Sequence, residues 1–164
     1  MKNFRRNNSS INKNQRGFSL VELMIVIAII ALLIGVGIPA WQAMVKNGNE
    51  TTTVQTLGTI RTCQIGYAGK HQGRFAPSFA ELVKTGCIGA DKFTGDSPVI
   101  NGYIYTMKVE EPSGTRPATF SVNANPQVPT GVTATGDRFF YVDSSGATIR
   151  ASDEGPATDQ SPSI

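Results

Sequence analysis

Residues Phe18 to Trp41 read FSLVELMIVIAIIALLIGVGIPAW, and the only charge among them is Glu22. From Leu23 to Ile38 there are 16 residues with no polar side chain. Sixteen helical residues rise about 24 Å and the full stretch about 36 Å, enough to cross a hydrocarbon core of about 30 Å. A soluble core is the alternative. With 17 Gly and 9 Pro in 164 residues, the rest of the chain is poorly suited to surround a helix that is apolar on every side.

The flanks set the direction. Lys2, Arg5, Arg6, Lys13 and Arg16 precede the stretch with no acidic residue among them, and the next basic residue after it is Lys46. The positive-inside rule keeps the N-terminus cytoplasmic and sends the chain beyond about residue 42 across the membrane. The formal net charge of +3 belongs to this basic segment. Beyond it, ten basic side chains face twelve acidic ones, so no cluster of Lys and Arg implies a nucleic-acid partner.

Three devices share this shape: a signal peptide cut after its apolar region, a plain single-span anchor, and a leader cut before the apolar region. The run ends Gly37-Ile38-Pro39-Ala40-Trp41, without the A-x-A pattern of a signal-peptide site, and is longer than the usual 7–15 residues of such a region.

Arg16-Gly17-Phe18-Ser19-Leu20-Val21-Glu22-Leu23, followed by the apolar run, resembles the N-terminal cleavage and methylation motif of type IV pilins and type II secretion pseudopilins. The resemblance covers about residues 1–60. It implies cleavage between Gly17 and Phe18 by a membrane-embedded prepilin peptidase and N-methylation of the new terminal Phe18. It makes Glu22 the acidic residue of the mature helix, and it sets Pro39 where many members have a helix-kinking proline. A leader of 17 residues is longer than in many members.

Physical chemistry supplies reasons for these positions. An acidic side chain in a membrane helix costs on the order of 2.5–3.5 kcal/mol and usually has a partner. Cleavage would create one in the Phe18 amine of a neighbouring subunit, with the pair strengthened by low dielectric; the alternative is a Glu22 that snorkels to the membrane surface. Gly17 offers little steric resistance to a protease holding extended backbone. Pro39 removes one helix hydrogen bond and clashes with the preceding turn, so it is expected to bend, locally melt or end the helix, softened further by Gly35 and Gly37.

Beyond Trp41, Val54, Leu57, Ile60, Cys63 and Tyr67 recur at spacings of three and four, which predicts an amphipathic helix to about Ala68, with an interruption allowed near Gly48. Ser78 to Glu81 fits a capping box for a short helix that Gly86 stops. Residues Gly89 to Pro98 read as irregular. Alternation at Tyr103–Glu110 and at Phe120–Ala124 predicts two strands. Phe139–Val142 and Thr148–Arg150 flank Asp143-Ser144-Ser145-Gly146 as a hairpin. The expected fold is α+β: a long N-terminal helix, membrane-spanning in its first half, on a small antiparallel sheet of three to four strands. The organisation expected is a basic leader 1–17 that is removed, an apolar transmembrane and assembly helix 18–41, an amphipathic helix plus pilin-like head 42–151, and a tail 152–164 without fixed structure.

Cys63 and Cys87, the only cysteines, fall outside the cytoplasm on this topology, where a disulfide persists; two buried thiols are the alternative. One histidine and two cysteines without tight ligand spacing argue against zinc, and His71 sits in a polar loop. Asp137, Asp143, Asp153, Glu154 and Asp159 gather late in the chain, as a calcium loop does in major pseudopilins, yet fit no loop signature and read as solvated surface. No G-x-S-x-G, H-E-x-x-H or P-loop is present, so neither catalysis nor a cofactor is expected. The resemblance implies a filament subunit, of a pilus or of a type II secretion pseudopilus. Its partners would be other copies of the chain, minor pilins, prepilin peptidase, an inner-membrane assembly platform and lipid. It would sit in the inner membrane before assembly, and in a surface or periplasmic filament afterwards. A monomeric membrane-anchored binding domain is the reading from a different class.

Overall fold

The computed structural model describes residues 17–146 and 148–164. The basic leader side chains from Lys2 to Arg16 lie outside the described residues. Two compact units divide the chain, one ending at Ile38 and the other running from Pro39 to Ile164.

Helix α1, Leu20–Lys70, contributes its first part to one unit and the remainder to the other. In the first unit it is a bare apolar helix. Each large hydrophobic side chain from Leu20 to Ile38 is at least 47% exposed. Among the described residues nothing in the unit covers this surface, which is the opposite of what water selects for a folded core. The helix is long and apolar enough to cross a membrane. The helical assignment continues through Pro39 and Gly48, so neither the local melting expected at Pro39 nor the interruption allowed at Gly48 occurs. A single lost N–H bond is tolerated where the flanking turns still bond.

In the second unit, α1 buries Thr53, Leu57, Ile60, Cys63 and Gln64, a stripe with the three-and-four spacing of one helix face. The helix threonines satisfy themselves along the helix: Thr51, Thr52, Thr53, Thr56, Thr59 and Thr62 each donate a hydroxyl to the carbonyl four residues back, at 2.8–3.0 Å. Such back-bonding lets threonine sit in a helix without a tertiary partner. Helix α2, Phe79–Lys84, starts at Ser78, whose Oγ accepts from Glu81 N at 3.4 Å, and Gly86 beyond its end takes φ +74°. It buries Phe79 and Leu82.

The sheet has five antiparallel strands in sequential order: β1 Val99–Ile100, β2 Tyr103–Glu110, β3 Thr119–Pro126, β4 Phe139–Asp143 and β5 Arg150–Ser152. Tyr105 faces Ala124, which faces Phe140, which faces Ala151. These residues, with Tyr103, Phe120 and Val122, form one core with Leu57 and Ile60 of α1 and Phe79 and Leu82 of α2. Alternation along each strand puts the apolar set on this face and polar residues on the other. Gly136 is required by packing, because a Cβ there would run into the Tyr103 ring.

Two expectations are corrected. The last strand begins at Arg150 and not at Thr148. Its register pairs Tyr141 with Arg150, because the connection is held open by Asp143, whose Oδ1 accepts from Ser145 N, Ser145 Oγ and Gly146 N. The tail also has structure. Residues after Ser152 return to the sheet: Ala151 N donates to Pro162 O at 2.9 Å and Ile164 N to Ile149 O at 3.0 Å. Asn123 Nδ2 reaches Ala157 O at 2.8 Å, and Ala157 is buried. Backbone pairing, which composition does not reveal, holds this segment.

Candidate processing and assembly site

The N-terminal end of α1 is built by its own residues. Ser19 precedes the first helical residue, and Leu23 N donates to Ser19 O at 3.2 Å. Glu22 reaches back so that Ser19 N donates to its Oε2 at 3.0 Å. This is the return half of a capping box, in which a Glu at the third helical position satisfies the N–H of the cap residue. The negative charge also sits at the positive end of the helix dipole. The signal for this cap is local: Ser19-x-x-Glu22 ahead of an apolar run.

Phe18 is 87% exposed, and Gly17, Phe18 and Ser19 lie outside any helix or strand. The Gly17–Phe18 peptide is therefore accessible backbone, and the Glu22 carboxylate is bonded one residue from Phe18. Sequence-predicted Gly17, Phe18 and Glu22 thus come together at one helix end. Pro39 belongs to the other unit.

Cys63 and Cys87 are joined as a disulfide across a separation of 24 residues, with Cα atoms 5.8 Å apart. The bridge ties α1 to the segment after α2. Inside the closed loop, Gln64 is fully buried and bonds Ala76 twice, donating to its carbonyl at 3.0 Å and accepting from its N–H at 2.8 Å. His71 is exposed and stacks on Tyr67 with ring centroids 3.8 Å apart.

The late acidic residues do not converge. Asp137 pairs with Lys46 at 2.7 Å, and Asp143 caps its own turn. Burial pushes the Asp143 carboxyl up, but the hydrogen bonds from Ser145 and Gly146 outweigh it and hold it below the usual aspartate range. Among the described residues no group of three or more His, Cys, Asp or Glu side chains could hold a metal ion.

Glu50 is a residue that sequence reasoning missed. It is buried on α1, yet its carboxylate accepts from Asp137 N at 2.9 Å, Arg138 N at 3.3 Å and Arg138 Nε at 2.8 Å. It pins the approach to β4 onto the helix. Tyr103 completes the cluster by donating its hydroxyl to Arg138 O at 2.9 Å. Burial, then the charge of Glu50, raises the Tyr103 pKa, so this hydroxyl remains a donor at neutral pH.

Residues 12–38 match the family described as a prokaryotic N-terminal methylation motif. The chain is 46% identical over 59 residues to a prepilin peptidase-dependent protein D of Escherichia coli (strain K12), a match covering 36% of this chain and 40% of that protein. It is 30% identical over 123 residues to a type IV major fimbrial protein FimA of Dichelobacter nodosus, covering 67% of this chain and 73% of that one. A fimbrial protein Q of Moraxella bovis is 44% identical over 48 residues, 29% of this chain and 31% of its own length. The match thus spans less than half of the Escherichia and Moraxella proteins. No solved structure matches the chain.

Proposed function

The chain belongs to the type IV fimbrial protein, or pilin, family, and from that membership we propose that it is a structural subunit which polymerises through its apolar helix. The observation that carries this reading is the helix end at Ser19–Glu22. The part of α1 from Leu20 to Ile38, exposed and apolar on every side, bears one carboxylate, held beside an accessible Gly17–Phe18 bond.

In the unassembled subunit the apolar helix spans the inner membrane, with the basic leader in the cytoplasm and the disulfide-bridged head outside. Hydrolysis of the Gly17–Phe18 peptide by prepilin peptidase frees an α-amine on Phe18, which is then N-methylated and still carries its positive charge. During assembly, the Phe18 amine of each incoming subunit meets the Glu22 carboxylate of a neighbour. Within a bundle of apolar helices that pair has few competitors, so it fixes axial register as well as affinity. Pro39 lies at the junction of the two units, where a bend would let the helix leave the bilayer and pack in a fibre. Other copies of the chain, minor pilins, an assembly platform and lipid are the partners of this cycle.

The relatives bearing fimbrial names favour a pilus over the second reading, a periplasmic type II secretion pseudopilus, which would use the same leader and helix. A monomeric anchored domain would need neither the Gly17–Phe18 junction nor Glu22. The role is structural and involves no catalysis. Processing tests the reading at its first step. Mass spectrometry of the mature chain should place its N-terminus at Phe18 with one added methyl group, and Gly17→Leu should leave the precursor uncut. A mature start near Ala43 or later would identify an ordinary signal peptide and overturn the reading.

A further inference from the structure

The outward face of the sheet carries an arrangement that filament assembly through α1 does not use. The register sets Thr106, Asn123 and Tyr141 abreast on β2, β3 and β4. On β3, Asn125 and Ser121 flank that row on the same face. The C-terminal return runs over this face and is tied to it by Asn123 Nδ2 donating to Ala157 O. Pro156 to Asp159 therefore form one wall of an open groove of about 480 Å³ whose floor is the sheet. That volume is in the range of small-ligand sites.

The lining selects a chemistry. Residues Ser121–Ala124 of β3 are paired on both sides, by β2 and by β4, so the backbone beneath the groove cannot accept an added peptide strand. Recognition falls to side chains, and these are mostly hydroxyls and amides, groups that both donate and accept. One cation, Lys108, and one anion, Asp159, line the groove; their opposite charges give no basis for holding a polyanion. Burial raises the Tyr141 pKa, which keeps its hydroxyl a donor. Asn125 Oδ1 is buried and has no hydrogen-bond partner among the described residues, and a small turn of that amide would offer it to a donor in the groove.

We propose that this groove binds a neutral saccharide. Sugar hydroxyls would pair with the Thr106, Ser121, Asn123 and Asn125 side chains, and the apolar face of a sugar ring would pack on Tyr141. Such a ligand matches a lining that is polar, without net charge and furnished with one aromatic ring.

The test uses the processed full-length chain in phosphocholine micelles, free of sugar detergents. Saturation-transfer NMR is run with triacetylchitotriose, lactose and mannotriose as neutral probes and a heparin disaccharide as the anionic one. The expected result is transfer to the ring protons of at least one neutral probe at millimolar concentration. Tyr141→Ala should weaken that binding by about tenfold or more, and Ser121→Leu, which fills the groove, should abolish it. Both variants should retain the Cys63–Cys87 bridge and the amide spectrum of the sheet; Thr106→Leu is an alternative blocking change if either does not fold. Absence of transfer from all three neutral probes would overturn the proposal. So would binding unchanged in the folded variants, or tighter binding of the heparin disaccharide.

Discussion

Glu22 and Glu50 are two carboxylates on one helix with opposite settings. Glu22 is in an exposed apolar unit and, among the described residues, is bonded to the Ser19 N–H at the helix end. Removing it makes the helix more apolar, so Glu22→Ala should insert into membranes at least as well and should still be cleaved, since the carboxylate is not at the scissile bond. Filament growth should fall sharply, because each incoming Phe18 amine would lack its counter-charge, at roughly 3–5 kcal/mol per desolvated pair. Electron microscopy should find processed, membrane-retained subunit with few or no filaments; filaments of normal number and length would show that the pair does not drive assembly. Glu50 is buried and holds Asp137 N and Arg138 by three hydrogen bonds. Glu50→Ala should cost about 2 kcal/mol by orphaning those donors, read as a lower thermal midpoint and as faster hydrogen exchange at the Asp137 and Arg138 amides. Unchanged exchange there would mean that the loop holds itself. Glu22 was legible because it interrupts an otherwise apolar run. Glu50 was not, because its partners lie 87 and 88 residues away in sequence and nothing local marks it.

At the scale of elements, legibility followed periodicity. β2 occupies Tyr103–Glu110 as alternation required, and β3 extends the expected strand to Thr119–Pro126. β1, two residues long, carries no period that could be read. The order of the tail is hidden from the sequence for a different reason. Its Ser, Pro and Asp content resembles disorder, while its attachment runs through backbone groups at Ala151 and Ile164 and one side-chain amide at Asn123. The long helix continues past Gly48 and ends at Lys70, close to the expected end at Ala68. Its face toward the sheet is tied at one end by Glu50 and at the other by Cys63. The disulfide closes a loop containing α2 and the Gln64–Ala76 pair. Replacing both cysteines by serine should therefore destabilise the head by about 3 kcal/mol through the loop entropy restored to the unfolded chain. Denaturant unfolding of the oxidised and the double-serine proteins measures this, and coincident midpoints would assign the stability to packing alone.

For the whole molecule, the two units make different demands on their surroundings. Pro39–Ile164 has a core of its own, with Leu57, Ile60, Tyr105, Phe120 and Phe140 buried together. Among the described residues of the unit ending at Ile38 there is no core, and the apolar side chains there call for lipid or other copies of the same helix. A protein that keeps both must be held in a membrane or consumed into an assembly, and the Gly17–Phe18 junction with Glu22 beside it is suited to the passage from one to the other. The measurement that meets this account most directly is recovery of sheared surface and periplasmic filaments from cells making the chain, with electron microscopy and intact mass on the same fraction. The account predicts filaments containing a subunit whose N-terminal residue is Phe18 with one added methyl group. A chain that is cut at Gly17 yet remains wholly in the membrane as monomer, with no filament containing it, would contradict the account.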